Sequence, residues 1–194
     1  CACVPHEHRP IPGASRLRLH VASAWASRSR VMRILWEQTV LPVLLTKTRA
    51  TLLHALAYLA PILTPCPLVL TIHDLHVMTH PQFCRKRNRM HYNLLIPQSI
   101  RKAAAIIAFS EYTKRTILAR FPSVPDDRIT VIPPGLTPGL QRCDVFARQQ
   151  EVRQRYQLPS SFLLFVGDLT LRKNILGLIS AFAIVQGERP DLHL

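Results

Sequence analysis

Four short apolar runs, "LVLTI" (Leu68 to Ile72), "AAIIAF" (Ala104 to Phe109), "RITVI" (Arg128 to Ile132) and "FLLFV" (Phe162 to Val166), are set apart by longer stretches of helical spacing. No other feature restricts the fold so strongly. Strand-length runs alternating with helices of about ten or more residues argue for an α/β chain, with parallel sheets covered by helices on both faces. In such sheets ligands lie in the crevice outside the carboxyl ends of the strands. Three stretches fall at such ends: "HDLH" after "LVLTI", "SE" after "AAIIAF" and "GDLTLRKN" after "FLLFV".

The intervening segments fill in this plan. "VMRILWEQTVLPVLLTKT" has helical spacing with Pro42 at a boundary or kink, and "TLLHAL" reads as a short buried strand before a Pro-rich connection. "RKRNRMHYNLLIPQSIRKA" reads as a basic helix that turns Met90, Leu94, Leu95 and Ile100 to one side. "EYTKRTILARF" is an amphipathic helix with Ser110 placed as its N-cap and Glu111 in its first turn, where the helix dipole favours a carboxylate. Further on, "DVFARQQEVRQRYQL" and "NILGLISAFAIVQ" are helical by spacing around the apolar strand "SFLLFVG", and "DLHL" opens another strand.

Pro and Gly content peaks across "PPGLTPG", Pro133 to Gly139, which marks the end of one domain and a linker. Three segments follow: 1-30, rich in Pro, Arg, Ser and His without periodicity and expected to be poorly ordered or a remnant; 31-136; and 137-194. The chain starts on Cys1 and stops in "DLHL", which raises the expectation of a fragment cut at both ends.

Charge narrows the partners. Lys and Arg number 25 against 11 Asp and Glu, a formal +14 that favours anions such as phosphates, nucleic acid or acidic lipid headgroups. The excess clusters in "RSRVMR" (Arg28 to Arg33) and "RKRNR" (Arg85 to Arg89). Aromatic content is only 7%, without the basic and aromatic interleaving of a stacking platform, so nucleic acid is not the expected partner. Five cysteines with no C-x-x-C pair signal neither a disulfide framework nor a cysteine zinc site, which suits a reducing, cytoplasmic setting. The longest apolar candidate, "LLHALAYLAPILTPCPLVLTI", is cut by Pro61, Pro65 and Pro67 before reaching the roughly 18 to 20 residues of a bilayer span, so the chain reads as soluble or peripheral.

The strand ends carry the chemistry. His73, His76 and His80, with Cys84 four residues on, are a conceivable zinc set. Pro81 and the preceding strand deny the regular helix that would align them, so no metal is expected. His73, at a strand tip facing a crevice, instead suits a hydrogen bond to a substrate hydroxyl or phosphate. Asp74 can orient it or cap the turn, and His76 reads as solvent-facing loop. Capping accounts for Ser110 and Glu111, although the Glu111 carboxylate would point toward the crevice mouth. In "VGDLTLRKNILG", Gly167 permits a tight turn and Arg172 with Lys173 stands at the start of the next helix, a place for a phosphate or diphosphate. Neither a G-x-G-x-x-G nor a P-loop spacing is present.

In order, "RILWEQTVLPVLL", "LLHALAYLAP", "PLVLTIHDLHVMTHP", "AAAIIAFSEYTKRTILARF", "DRITVIPPGL" and "FLLFVGDLTLRKNILGLISAF" resemble the middle of a family 4 glycosyltransferase with the GT-B fold, from about Arg33 to the end. The resemblance implies two Rossmann-like domains and, in the cleft between them, retaining transfer from a nucleotide-sugar donor to an acceptor hydroxyl, with no metal cofactor. It places His73, followed by Asp74, on the acceptor side near the transferred sugar, and matches Lys173 to the lysine that neutralises the donor diphosphate. Gly167 would let the backbone approach that group. Asp168 stands where many members carry Arg, so either Arg172 compensates or donor binding is weakened. The family's glycine-rich loop near the protein start and its E-x7-E segment are not in this sequence, so the chain by itself is not expected to be a competent enzyme. The implied partners are a nucleotide-sugar donor, mannose-type from the look of "HDL" and "RKN", and a glycan or lipid-linked acceptor. An anionic surface at the inner face of the membrane could engage the basic runs. The alternative reading is a basic α/β module that binds nucleic acid or an anionic surface without catalysis.

Overall fold

The runs expected as strands do pair in parallel. A computed structural model describes residues 2–4, 19–21, 26, 28–84, 86–136, 139–142 and 144–194, by backbone alone at 2–4, 19–21, 30 and 86–88. It divides into two units, Cys1–Pro134 and Gly135–Leu194, against an expected boundary between 136 and 137. Most of segment 1-30 and Thr137 and Pro138 of the linker lie outside the described residues.

In the first unit, β1 (Ala2–Val4) pairs in parallel with β2 (Leu19–Val21). Helix α1 (Arg30–Lys47) is capped by Ser29, whose Oγ accepts from Met32 N–H, and it continues through Pro42 rather than ending there. The Gln38 amide fastens α1 to the following loop, accepting from Ile62 N–H at 2.9 Å and donating to Ala60 C=O at 3.3 Å.

Strands β3 (Leu53–Ala55), β4 (Leu68–Ile72), β5 (Ala105–Ala108) and β6 (Ile129–Val131) form one parallel sheet in the order β3-β4-β5-β6. The one-turn helix α2 (His76–Thr79) and helix α3 (Lys86–Lys102) carry the chain from β4 to β5, and α4 (Glu111–Arg120) carries it on to β6. Because β4 is covered on both faces, its residues read as a continuous apolar run, and Leu68, Leu70 and Ile72 are fully buried. They pack with Ile106, Ile96, Ile100, Ile117 and Ile129 in one core. Burying each of these side chains contributes roughly 1.5–3 kcal/mol.

Two expectations are corrected here. "TLLHAL" forms not a buried strand but the sheet edge: Leu53 and Ala55 are half-buried and His54 is exposed, its Nε2 bonded to the buried Thr71 hydroxyl at 2.9 Å. On α3 the buried face is Leu95, Ile96, Ser99 and Ile100, whereas Met90 and Leu94 point to solvent. Ser99 is held in that face because its hydroxyl accepts Ala60 N–H at 3.1 Å.

The second unit contains α5 (Phe146–Arg155), β7 (Ser161–Phe162), α6 (Ile175–Glu188) and β8 (Leu192–His193). Strands β7 and β8 pair in parallel, and "SFLLFVG" yields only two strand residues. None of the described residues in this unit is buried. Leu164, Val166 and Leu169 are 76%, 82% and 82% exposed. Among the described residues no helix is long and apolar enough to cross a membrane.

Candidate functional site

Strand register decides what stands beside His73. Ile72 pairs with Ala108, so the residues leaving the carboxyl ends of the neighbouring strands, His73 and Phe109, become neighbours. Their rings stack with centroids 4.2 Å apart and planes at 18°, while Tyr58 meets the His73 ring edge-on at 6.0 Å. The main chain is fixed as firmly: Phe109 N–H donates to Ile72 C=O at 3.2 Å, and the Thr113 hydroxyl donates to His73 C=O at 3.1 Å. His73 is thus an exposed imidazole held by its ring face and its carbonyl. Among the described residues neither of its ring nitrogens has a hydrogen-bond partner, which leaves both for a ligand.

Of the two roles open to Asp74, the turn takes it. Its Oδ1 accepts from His76 N–H at 3.1 Å and pairs with His76 Nδ1 at 2.5 Å, so Asp74 orients His76 and makes no bond to the His73 ring. His76 is therefore a half-buried, fixed side chain rather than solvent-facing loop. The aspartate's preference for an N–H two residues on was a signal available in "DLH". His80 bonds the Thr79 hydroxyl at 2.9 Å and stacks on Phe83, so the three histidines make three separate sets of contacts. No group of three or more metal-ligating side chains gathers among the described residues.

Ser110 caps α4 as its position promises, its Oγ accepting from Thr113 N–H at 3.1 Å. Glu111 is exposed in the first turn of the helix. The cap and the Thr113 hydroxyl together connect the start of α4 to the tip of β4. Tyr58, Phe109 and Thr113 are the surroundings of His73 that sequence reasoning missed, because only strand pairing brings them there: β3 beside β4 for Tyr58, and β4 beside β5 for Phe109 and Thr113.

In the second unit Gly167 and Lys173 come together. A Cβ on Gly167 would sit 3.1 Å from Phe165 Cζ and 3.8 Å from Lys173 Cε, so a side chain here would press on the Phe165 ring and merely touch Lys173. Arg172 and Lys173 are exposed in a 3-10 turn, Leu171–Lys173, that precedes the helix instead of opening it. Between that turn and α6 stands Asn174 in the left-handed conformation at φ 50°, with no side-chain cap bond. Asp168 is exposed, and its carbonyl accepts Thr170 N–H at 2.9 Å.

A parallel α/β sheet with helices joining successive strands and an aromatic-backed histidine at the carboxyl end of an inner strand is of the Rossmann-like kind. Residues 2–139 match Glycosyltransferase Family 4, and the chain belongs to that family. Over 125 residues it is 27% identical to O-antigen chain mannosyltransferase B of Escherichia coli. The match covers 62% of this chain and 31% of that protein.

Proposed function

We propose that the chain serves a retaining glycosyl transfer from a nucleotide-activated sugar, mannose by similarity to the relative above, to a hydroxyl of a glycan or lipid-linked acceptor, on a GT-B scaffold. The carrying observation is His73: an exposed imidazole with both nitrogens unpartnered, at the carboxyl end of β4 in a member of this family. In this reading its ring bonds a hydroxyl of the transferred sugar, with Ser110 and Glu111 facing the same crevice mouth. Transfer breaks the bond from the anomeric carbon to the phosphate oxygen and forms one to the acceptor oxygen, whose hydroxyl proton passes to the departing diphosphate. Negative charge builds on the departing diphosphate, and in this reading Lys173 with Arg172, exposed in the turn before α6, stabilises it and offsets Asp168. No metal is needed for that step. The setting is cytoplasmic, peripheral at the inner face of the membrane, where basic runs meet anionic lipid.

The test is sugar transfer by the gene's complete product. Losing a neutral hydrogen bond costs about 0.5–1.5 kcal/mol, so His73→Ala should lower kcat/KM several-fold, and Lys173→Ala should lower it roughly a hundredfold. An unchanged rate for either removes that residue from the site.

A further inference from the structure

The outer face of α4 borders a groove of about 460 Å³, lined by Thr79, Tyr112, Arg115, Thr116, Ala119 and Arg120. Its charge is uncompensated. Among the described residues no carboxylate lines it and neither Arg115 nor Arg120 has a hydrogen bond or ion pair, although Glu111 stands one turn before Arg115. Lys114 on the same helix is different, being paired with Asp126 at 2.9 Å. The Thr79 and Thr116 hydroxyls donate to the carbonyls of Leu75 and Tyr112, so the unengaged donors of the groove are the two guanidinium groups and the Tyr112 phenol.

We propose that this groove is a phosphate-binding site, in which Arg115, Arg120 and the Tyr112 hydroxyl hold a phosphate or diphosphate group. Guanidinium forks match phosphoryl oxygens in geometry as well as charge, and the small Ala119 side chain leaves the space between the arginines open. The groove also has a direction. Tyr112 lies in the first turn of α4, next to Thr113, whose hydroxyl holds the His73 carbonyl, and Arg120 ends the helix. A phosphate-bearing acceptor could therefore bring its hydroxyl to the β4 tip while its phosphate rests on α4. That last assignment rests on the transferase reading; phosphate binding in the groove does not.

Inorganic pyrophosphate titrated calorimetrically into the full chain at low salt, and co-sedimentation with vesicles of equal parts phosphatidylcholine and phosphatidylglycerol, test the proposal without any sugar donor. A failed transfer assay therefore leaves this test intact. The double substitution Arg115→Gln with Arg120→Gln should weaken binding roughly tenfold or more, and Tyr112→Phe by less. All three positions are exposed, and a circular-dichroism melt confirms that the variants fold. Arg148→Gln with Arg155→Gln on α5 removes the same charge and should leave binding unchanged. Loss of pyrophosphate binding assigns the site to a soluble or acceptor phosphate, and loss confined to the vesicles assigns it to a lipid headgroup. Binding in neither assay by the unsubstituted protein, no loss in the double variant, or an equal loss in the α5 control overturns the proposal.

Discussion

The two units carry similar sequence patterns and reach different ends. In the first, four parallel strands between helices seal Leu68, Leu70 and Ile72 from water. In the second, two strands of two residues each leave α6 only partly covered: Ile175, Leu178 and Phe182 are half-buried, while Leu176 and Ile184 are 73% and 74% exposed. An apolar run specifies an interior position but does not supply the interior. A parallel sheet does that only when several strands share helices on both faces.

The sharpest way to break this contrast is a matched pair of truncations. Leu70→Ala should lower the unfolding free energy by roughly 2–5 kcal/mol, because it opens a cavity in a sealed core. Leu164→Ala should stay within about 0.5 kcal/mol. Urea melts of both variants measure the difference, and equal costs would mean that the second unit has a core after all. Ser110→Ala comes next, at about 1 kcal/mol, since it frees Thr113 N–H at the start of a helix whose far side is packed on the sheet.

Smallest are the effects of acid, and they oppose each other. Burial raises the Glu37 carboxyl above its ordinary value, with Arg33 pulling the other way, so its charge costs the first unit stability at neutral pH. That cost shrinks as pH falls through the raised value and is gone below the unfolded one. Glu37→Gln should therefore give a slightly higher Tm at pH 7 and none of that gain in acid. In the second unit the Arg189 fork bonds both oxygens of Asp191 at 2.9 Å and lowers its pKa to about 2. Its contribution is present above the ordinary carboxylate range and is lost only as pH drops through about 2. A carboxyl NMR titration of Asp191 with a midpoint near 4 would remove the fork from the account.

What was legible in the sequence was whatever is decided locally. Strand, cap and helix in "AAIIAFSEYTKR" could be read because a serine cap acts within three residues. The buried side of α3 could not: Met90 and Leu94 share helical spacing with Leu95, and only the sheet beneath selects which side faces in. The edge position of β3 is likewise a property of strand order, not of "TLLHAL". The place of His73 at a strand end was legible, while its ring partners come from residues 15 and more positions away in the chain and depend on strand pairing. For Asp74 the sequence left two roles open, orienting His73 or capping the turn, and the bond from His76 N–H takes the second.

The bond from Thr113 to the His73 carbonyl joins residues 40 positions apart, the residue just past a strand to the first turn of a helix. Because α4 is itself seated in the core through Ile117, the loop that carries His73 inherits its footing from the sheet's own packing rather than from contacts of its imidazole with other polar groups.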